Sequence, residues 1–163
     1  MPRNPSAVAE KPTDSPSVEH QRLQAFIGSW QTDGCTIEDG EPKASIHSND
    51  VYEWLPGGYF VAHRWHSQIG GAEVHGLEVI GYDRQAQTYR TQFFDNQGHA
   101  GSETLTVDGR TWRWIGHQVM GTPWHRCTST VSEDGRMMNA RHERSDDGKN
   151  WTPWMEITLR RDD

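Results

Sequence analysis

Leu23-Gln24-Ala25-Phe26-Ile27-Gly28-Ser29-Trp30 near the start and Trp154-Met155-Glu156-Ile157-Thr158-Leu159-Arg160 near the end decide the fold. The first is a short amphipathic turn, with Leu23, Phe26 and Ile27 on one side, that runs into Gly-x-Trp. The second is a strand that finishes on a basic residue. Between them, short alternating runs are separated by residues with turn chemistry. Pro56-Gly57-Gly58 and Gly70-Gly71 supply positive φ at little cost. Asn96-Gln97-Gly98, Asp108-Gly109, Asp134-Gly135 and Asp146-Asp147-Gly148 are further hairpin signals. Strands are therefore expected near 29–37, 45–55, 59–69, 72–82, 88–95, 100–107, 110–118, 124–132, 136–144 and 151–160. Nothing after residue 28 sustains a 3.6-residue period, and no strand is followed by a long helix. About ten short antiparallel strands in succession predict an all-β chain, an up-and-down β-barrel with a short helical turn at its N-terminal side. Closure removes exposed strand edges, and a barrel of this strand number is wide enough to keep a cavity.

The chain of 163 residues is long enough for one domain with a core of its own. Residues 1–20 read as a disordered tail, because Pro2, Pro5, Pro12 and Pro16 oppose helix and ladder and little there can be buried. Residues 21–163 form the barrel domain. Only 33% of residues are hydrophobic, but eight Trp, four Tyr and four Phe bury a large area each. That suits a barrel, where alternate residues face inward. A formal net charge of -7 argues against nucleic acid and against an anionic membrane surface. No apolar run is long enough to span a bilayer, and the first 20 residues lack the apolar region of a signal peptide. The two cysteines, Cys35 and Cys127, read as free thiols in a reducing compartment, so a cytoplasmic location is expected.

The Gly28-Ser29-Trp30 signature resembles the Gly-x-Trp of the calycin superfamily, which includes the lipocalins and fatty-acid-binding proteins. In such barrels the Trp closes one end and a late basic residue packs over its ring, a role that falls to Arg160 here. The wider set Leu23-x-x-Phe26-Ile27-Gly28-Ser29-Trp30, Leu55-Pro56-Gly57-Gly58-Tyr59-Phe60, Ile80-Gly81-Tyr82-Asp83, Asp95-Asn96-Gln97-Gly98 and Ser145-Asp146-Asp147-Gly148-Lys149-Asn150-Trp151 resembles a bacterial family, domain of unknown function 1579, regarded as lipocalin-like. The resemblance runs from about residue 21 to 161 and implies a fold without an established activity. The nitrobindin-like haem proteins are more distant calycin relatives, with a haem-ligating His in the last strand. The matching stretch here is Pro153-Trp154-Met155-Glu156-Ile157-Thr158-Leu159-Arg160. It has Trp154 at that position, and indole cannot ligate iron.

Nine histidines suggest a metal, but their spacing opposes one. His63 and His66 point to opposite faces of a strand, there is no His-x-His, and the best chelating pair, His125 and Cys127, falls short of a full ligand set. No metal site is expected. Period two puts Tyr59, Val61, His63 and Trp65 on the face taken as inward, Trp112 and Trp114 on one face, and Met138, Ala140 and His142 on another. If Arg160 meets Trp30 inside, then Glu156 and Trp154 also point inward. The resulting lining is His63, Trp65, Trp112, Trp114, His142, Trp154 and Glu156, aromatic walls with a few polar groups. Alternatively, Glu156 pairs with Arg141 or Arg126 as a structural bridge.

The leading expectation is a barrel holding a small, largely apolar or aromatic molecule without a cofactor. A second reading is a cofactor-free isomerase, cyclase or lyase in which His63 and Glu156 act as acid and base. A third is a haem protein with His63 or His142 as axial ligand. Met155, Ile157 and Leu159 share the face opposite Glu156 and, if exposed, would form a homodimer patch. No phosphate loop, dinucleotide fingerprint or Gly-x-Ser-x-Gly elbow occurs.

Overall fold

The computed structural model describes residues 15–162. Ten antiparallel strands follow a short helical segment: β1 Gly28–Glu38, β2 Glu41–Trp54, β3 Phe60–Ile69, β4 Ala72–Asp83, β5 Thr88–Asp95, β6 Ala100–Asp108, β7 Thr111–Val119, β8 Thr122–Val131, β9 Met137–Ser145 and β10 Thr152–Arg161. Each strand pairs with the next, and β1 pairs with β10, so the sheet closes into an up-and-down barrel. Six of the nine connections between these strands fall at the expected Gly, Asp and Asn clusters, and Gly57, Gly70, Gly71 and Gly135 take the expected positive φ.

Helix α1 (Val18–Arg22) continues into a single 3-10 turn, Leu23–Ala25. It begins inside the segment assigned to the tail. Ser17 starts it: its backbone N–H donates to Nδ1 of His20 at 3.1 Å, so His20 plays the part that Glu or Gln takes in a capping box. The remainder of the expected tail, residues 1–14, lies outside the described residues. The helical segment plugs one end of the barrel. Leu23, Phe26 and Trp30 are fully buried there against Tyr52, Val61, Ile80, Tyr89, Leu105, Trp112 and Leu159. The Tyr89 hydroxyl donates to the Glu19 carbonyl at 2.8 Å, and the Trp54 indole donates to Gln24 at 2.9 Å. The hairpins β1–β2, β3–β4, β5–β6, β7–β8 and β9–β10 lie at the opposite end. No helix among the described residues is long and apolar enough to cross a membrane.

The closing residue differs by one from the expected one. Trp30 pairs in register with Arg161, whose guanidinium lies 4.2 Å from the indole centroid. Arg161 also donates to the carbonyls of Ile27, Ala25 and Gly135. Arg160 points outward, 3.6 Å from Asp33. Because side chains alternate, this single step turns over the assignment for β10. Glu156 lies outside, half-exposed and 3.6 Å from Arg141, as in the structural-bridge alternative. Met155, Ile157 and Leu159 line the interior, so they form no outer dimer patch. Trp154 is the extra residue where the β10–β9 register shifts between Pro153 and Met155. This bulge lets its ring meet His125 edge-on at 5.8 Å.

Trp30→Ala is expected to lower unfolding free energy by about 3–5 kcal/mol in urea titration, the usual cost of truncating a buried aromatic. Arg161→Ala, which leaves buried carbonyls without a donor, should cost about 1–3 kcal/mol. Arg160→Ala should stay within about 0.5 kcal/mol. Equal costs for the two arginines would contradict the register.

Candidate functional site: a cavity crossed by two acid–imidazole networks

Below the plug the barrel holds a cavity of about 230 Å³. Phe26 and Tyr52 bound it on the plug side, Trp65, Trp114 and Phe93 form its walls, and Ile46, Ile69, Val74 and Met120 lie toward the far end. This apolar surface is interrupted by two hydrogen-bonded chains of ionisable groups.

The first chain crosses five consecutive strands. Thr32 on β1 donates to Asp50 Oδ2 on β2 at 2.6 Å. Asp50 Oδ1 accepts from His63 Nε2 on β3 at 2.9 Å, and Glu78 Oε2 on β4 accepts from His63 Nδ1 at 3.0 Å. Thr91 on β5 donates to Glu78 Oε1 at 2.6 Å. Burial opposes a charge on His63, but the two carboxylates outweigh it and raise its pKa to about 9. The side chain is therefore an imidazolium held between two acids. Tyr52 stacks on it at 3.9 Å with the planes 6° apart, a cation–π contact. For Asp50, burial works against ionisation, and the His63 hydrogen bond and charge and the Thr32 hydroxyl overcome it, leaving its pKa lowered.

The second chain lies on β6, β8 and β9. Glu103 Oε1 and His125 Nδ1 are 2.7 Å apart, His125 Nε2 and His142 Nδ1 3.1 Å, and His142 Nε2 and Cys127 Sγ 3.6 Å. Burial, assisted by His125, drives the His142 pKa down to about 3, so its ring is neutral. Burial followed by the negative charge of Glu103 pushes the Cys127 thiol well up, so the sulfur keeps its proton. With His125 donating from both ring nitrogens, Nδ1–H goes to Glu103 and Nε2–H to His142 Nδ1, and the remaining His142 nitrogen, Nε2, faces the Cys127 sulfur. The chain spans β7 because Gly116 stands between Glu103 and His125 in the ladder. A Cβ at Gly116 would fall 2.7 Å from Glu103 Cγ and 2.5 Å from Val119 Cγ2.

Of the residues singled out from sequence, His63, Trp65, Trp114 and His142 line the cavity. Trp112 sits higher, in the core under the plug, 4.8 Å from Phe26 and 5.1 Å from Tyr89. Trp154 touches His125 beside the cavity, and Glu156 is outside it. His63 and Glu156 are thus on opposite sides of the barrel wall. Asp50, Glu78 and Glu103 also line the cavity and are not among the expected residues. Period two could have found Glu78, between Gly76 and Ile80, and Glu103, between Gly101 and Leu105, as acids on inward faces. The haem reading does not fit these side chains: both ring nitrogens of His63 are held by carboxylates, and those of His142 by His125 and Cys127. Both cysteines are free, Cys127 buried and Cys35 half-buried.

A closed up-and-down barrel, plugged at one end by a helical turn before Gly-x-Trp and locked by a late arginine, is of the lipocalin-like class. Within it, the chain belongs to the family described as protein of unknown function (DUF1579), whose model matches residues 15–161. No curated protein matches it. Among solved structures it is similar to Rv2717c from M. tuberculosis, with TM-score 0.68 and 12% identity over 91% of this chain and 100% of that one. It is also similar to the S-type phycobiliprotein lyase CPES from Guillardia theta, with TM-score 0.59 and 12% identity over 90% and 93%. At these identities the likeness is one of fold.

The two imidazoles should give stability a maximum near neutrality. His63 has a raised pKa in the folded state, so its contribution is complete below the unfolded value of about 6.5 and is lost as pH rises through about 9. His142 stays neutral when folded, so the unfolded chain gains protons that the folded chain does not as pH falls from about 6.5 toward 3. Melting temperatures should therefore fall on both sides, and His142→Phe should make the acid limb shallower, the lowered pKa of Asp50 keeping part of the loss, while the alkaline limb stays as it is. Gly116→Ala should cost about 1–3 kcal/mol by overpacking. It should also shift the His125 imidazole signals in NMR as the Glu103 contact is displaced.

Proposed function

We propose that this protein binds a small molecule inside the barrel, with an apolar, single-ring-sized body and a head rich in hydrogen-bond donors. The carrying observation is the cavity itself: about 230 Å³ of mostly apolar space into which the Asp50–His63–Glu78 and Glu103–His125–His142–Cys127 chains face. A dry cavity of about 150 Å³ admits benzene, whereas drug-sized ligands occupy roughly 300–1,000 Å³. The volume therefore favours a compact ligand over a large planar cofactor. Four carboxyl groups in the lining, Asp50, Glu78, Asp95 and Glu103, against the His63 imidazolium favour an amine, amide or other donor over an anion. The fold is shared with a phycobiliprotein lyase, which is compatible with a ligand-handling barrel.

The enzyme reading is better served by the second chain than by His63 and Glu156. Its contacts run without a break from Glu103 to a thiol at the cavity, so a bound molecule meeting His142 or Cys127 would have a proton route to Glu103. This favours proton-transfer chemistry, such as isomerisation or elimination, as the second proposal.

Native followed by denaturing mass spectrometry of protein purified without added ligand tests occupancy. A stoichiometric small organic mass, lost on denaturation, is the expected result. A matched panel of arylalkylamines and arylalkanoic acids, read by thermal shift, tests the charge argument: amines should stabilise and the acids should not. Ala140→Phe, which fills the cavity, should weaken binding at least tenfold while the far-ultraviolet circular dichroism stays unchanged. Undiminished binding in that variant would place the ligand elsewhere.

A further inference from the structure

A separate cluster stands on the outside of the barrel wall. His66 on β3 and His75 on β4 are direct cross-strand partners, and both face away from the cavity. Their ring centroids are 3.9 Å apart with the planes tilted by 35°. Glu73, two residues before His75 on the same face, brings Oε2 to 3.5 Å from His75 Nε2. One ligand atom from each of His66, Glu73 and His75 lies within 4.8 Å of the other two. We propose that His66, His75 and Glu73 form a binding site for a divalent transition-metal ion of the zinc type, open to solvent at its remaining position.

The donor set is appropriate. Two imidazoles and a carboxylate suit zinc, nickel or copper, and three protein ligands leave a position for water or another ligand. Zinc–nitrogen and zinc–oxygen bonds of about 2.0–2.2 Å put tetrahedral ligand atoms roughly 3.4 Å apart. The Glu73–His75 pair already stands at that separation. Glu73 and His66 are exposed, so rotation of their side chains can complete the closure without moving backbone.

The backbone beneath is held from a third segment. The Asn96 side chain accepts from the His75 backbone N–H at 2.9 Å and donates to the Glu73 carbonyl at 3.4 Å. The Asn96 N–H donates to the His75 carbonyl at 2.9 Å. The β5–β6 turn thus clamps the two β4 ligands in register. The adjoining positions in the ladder, Asn49 opposite His66 and Gln68 opposite Glu73, are neutral, and Arg64, two residues before His66 on the same face, is paired with Glu53 at 2.9 Å. The same three groups without an ion leave two imidazoles face to face with a single carboxylate contact.

Isothermal titration of the full chain with zinc, after treatment with a chelator, tests the site. The expected result is one zinc per chain, with affinity reduced at least tenfold in His66→Ala and in His75→Ala, and reduced to a smaller extent in Glu73→Gln. Zinc should also raise the melting temperature of the native sequence and not that of His75→Ala. All three positions are on the outer face, so circular dichroism of the variants should match the parent. Absence of binding at millimolar zinc, or binding that survives both histidine substitutions, would overturn the proposal. Neither result bears on the internal cavity.

Discussion

The pairing of Trp30 with Arg161 sets the rest of the barrel. It closes β1 on β10, and its guanidinium reaches three carbonyls at the ends of the helical plug and the β8–β9 turn. Two constraints meet there. A buried indole needs something over its open face, and the last turn before β1 has carbonyl groups that no strand can satisfy. One planar cation with several donors answers both, which a lysine could not do with a single point charge. Once that residue is fixed, alternation fixes the faces of β10 from Met155 to Arg161, up to the bulge at Trp154. The cavity then receives Leu159, Ile157 and Met155 in place of Glu156.

The interior shows how a barrel can bury acids. Each carboxylate lies where a neighbour on an adjacent or next strand supplies a donor. His63 serves two acids because it stands between Asp50 and Glu78 across consecutive strands. An isolated buried charge would be costly, and breaking a buried pair strands the remaining partner. The second chain has a gap at β7 that a side chain would block, and Gly116 provides the space. Gly76 does similar work for Trp65: a Cβ there would meet the ring at 1.9 Å, so the indole lies directly over the glycine backbone. These two glycines are in strands, at ordinary φ. Their role is to permit close approach and not to make a turn.

Local chemistry made the fold legible. Gly, Asp and Asn clusters marked hairpins, and β1 to β10 begin and end close to the expected limits because turn residues act over a few positions. The inward sets of β3 and β7 are legible too, since ring-bearing residues repeat there with period two, His63 with Trp65 and Trp112 with Trp114. The last strand was not. It offers Arg160 and Arg161 in succession, and either reading gives a plausible basic residue over Trp30. Only the register decides, and register is a property of two strands. The bulge at Trp154 adds a second phase change within the same strand. The acid–imidazole chains were hidden for a related reason. Asp50, His63 and Glu78 are far apart in sequence and adjacent in the sheet, and each taken alone resembles a solvated charge on a strand.

The histidines obey the same rule of register. Along the chain, His63 and His66 are close neighbours, yet the wall of the barrel separates them. His63 joins the cavity network and His66 joins His75 outside, nine positions further along the sequence and directly opposite across the ladder. Spacing within one strand is thus a poor guide to chelation in an antiparallel barrel, because opposed positions are set by hairpin length as well as by period two. The β3–β4 hairpin turns at Gly70 and Gly71, and that turn brings His66 against His75 while aligning His63 with Glu78. One hairpin register therefore builds both the inner acid–imidazole pair and the outer imidazole pair. A slip of that register would dissolve the two together, whereas a side-chain substitution on either face leaves the other intact.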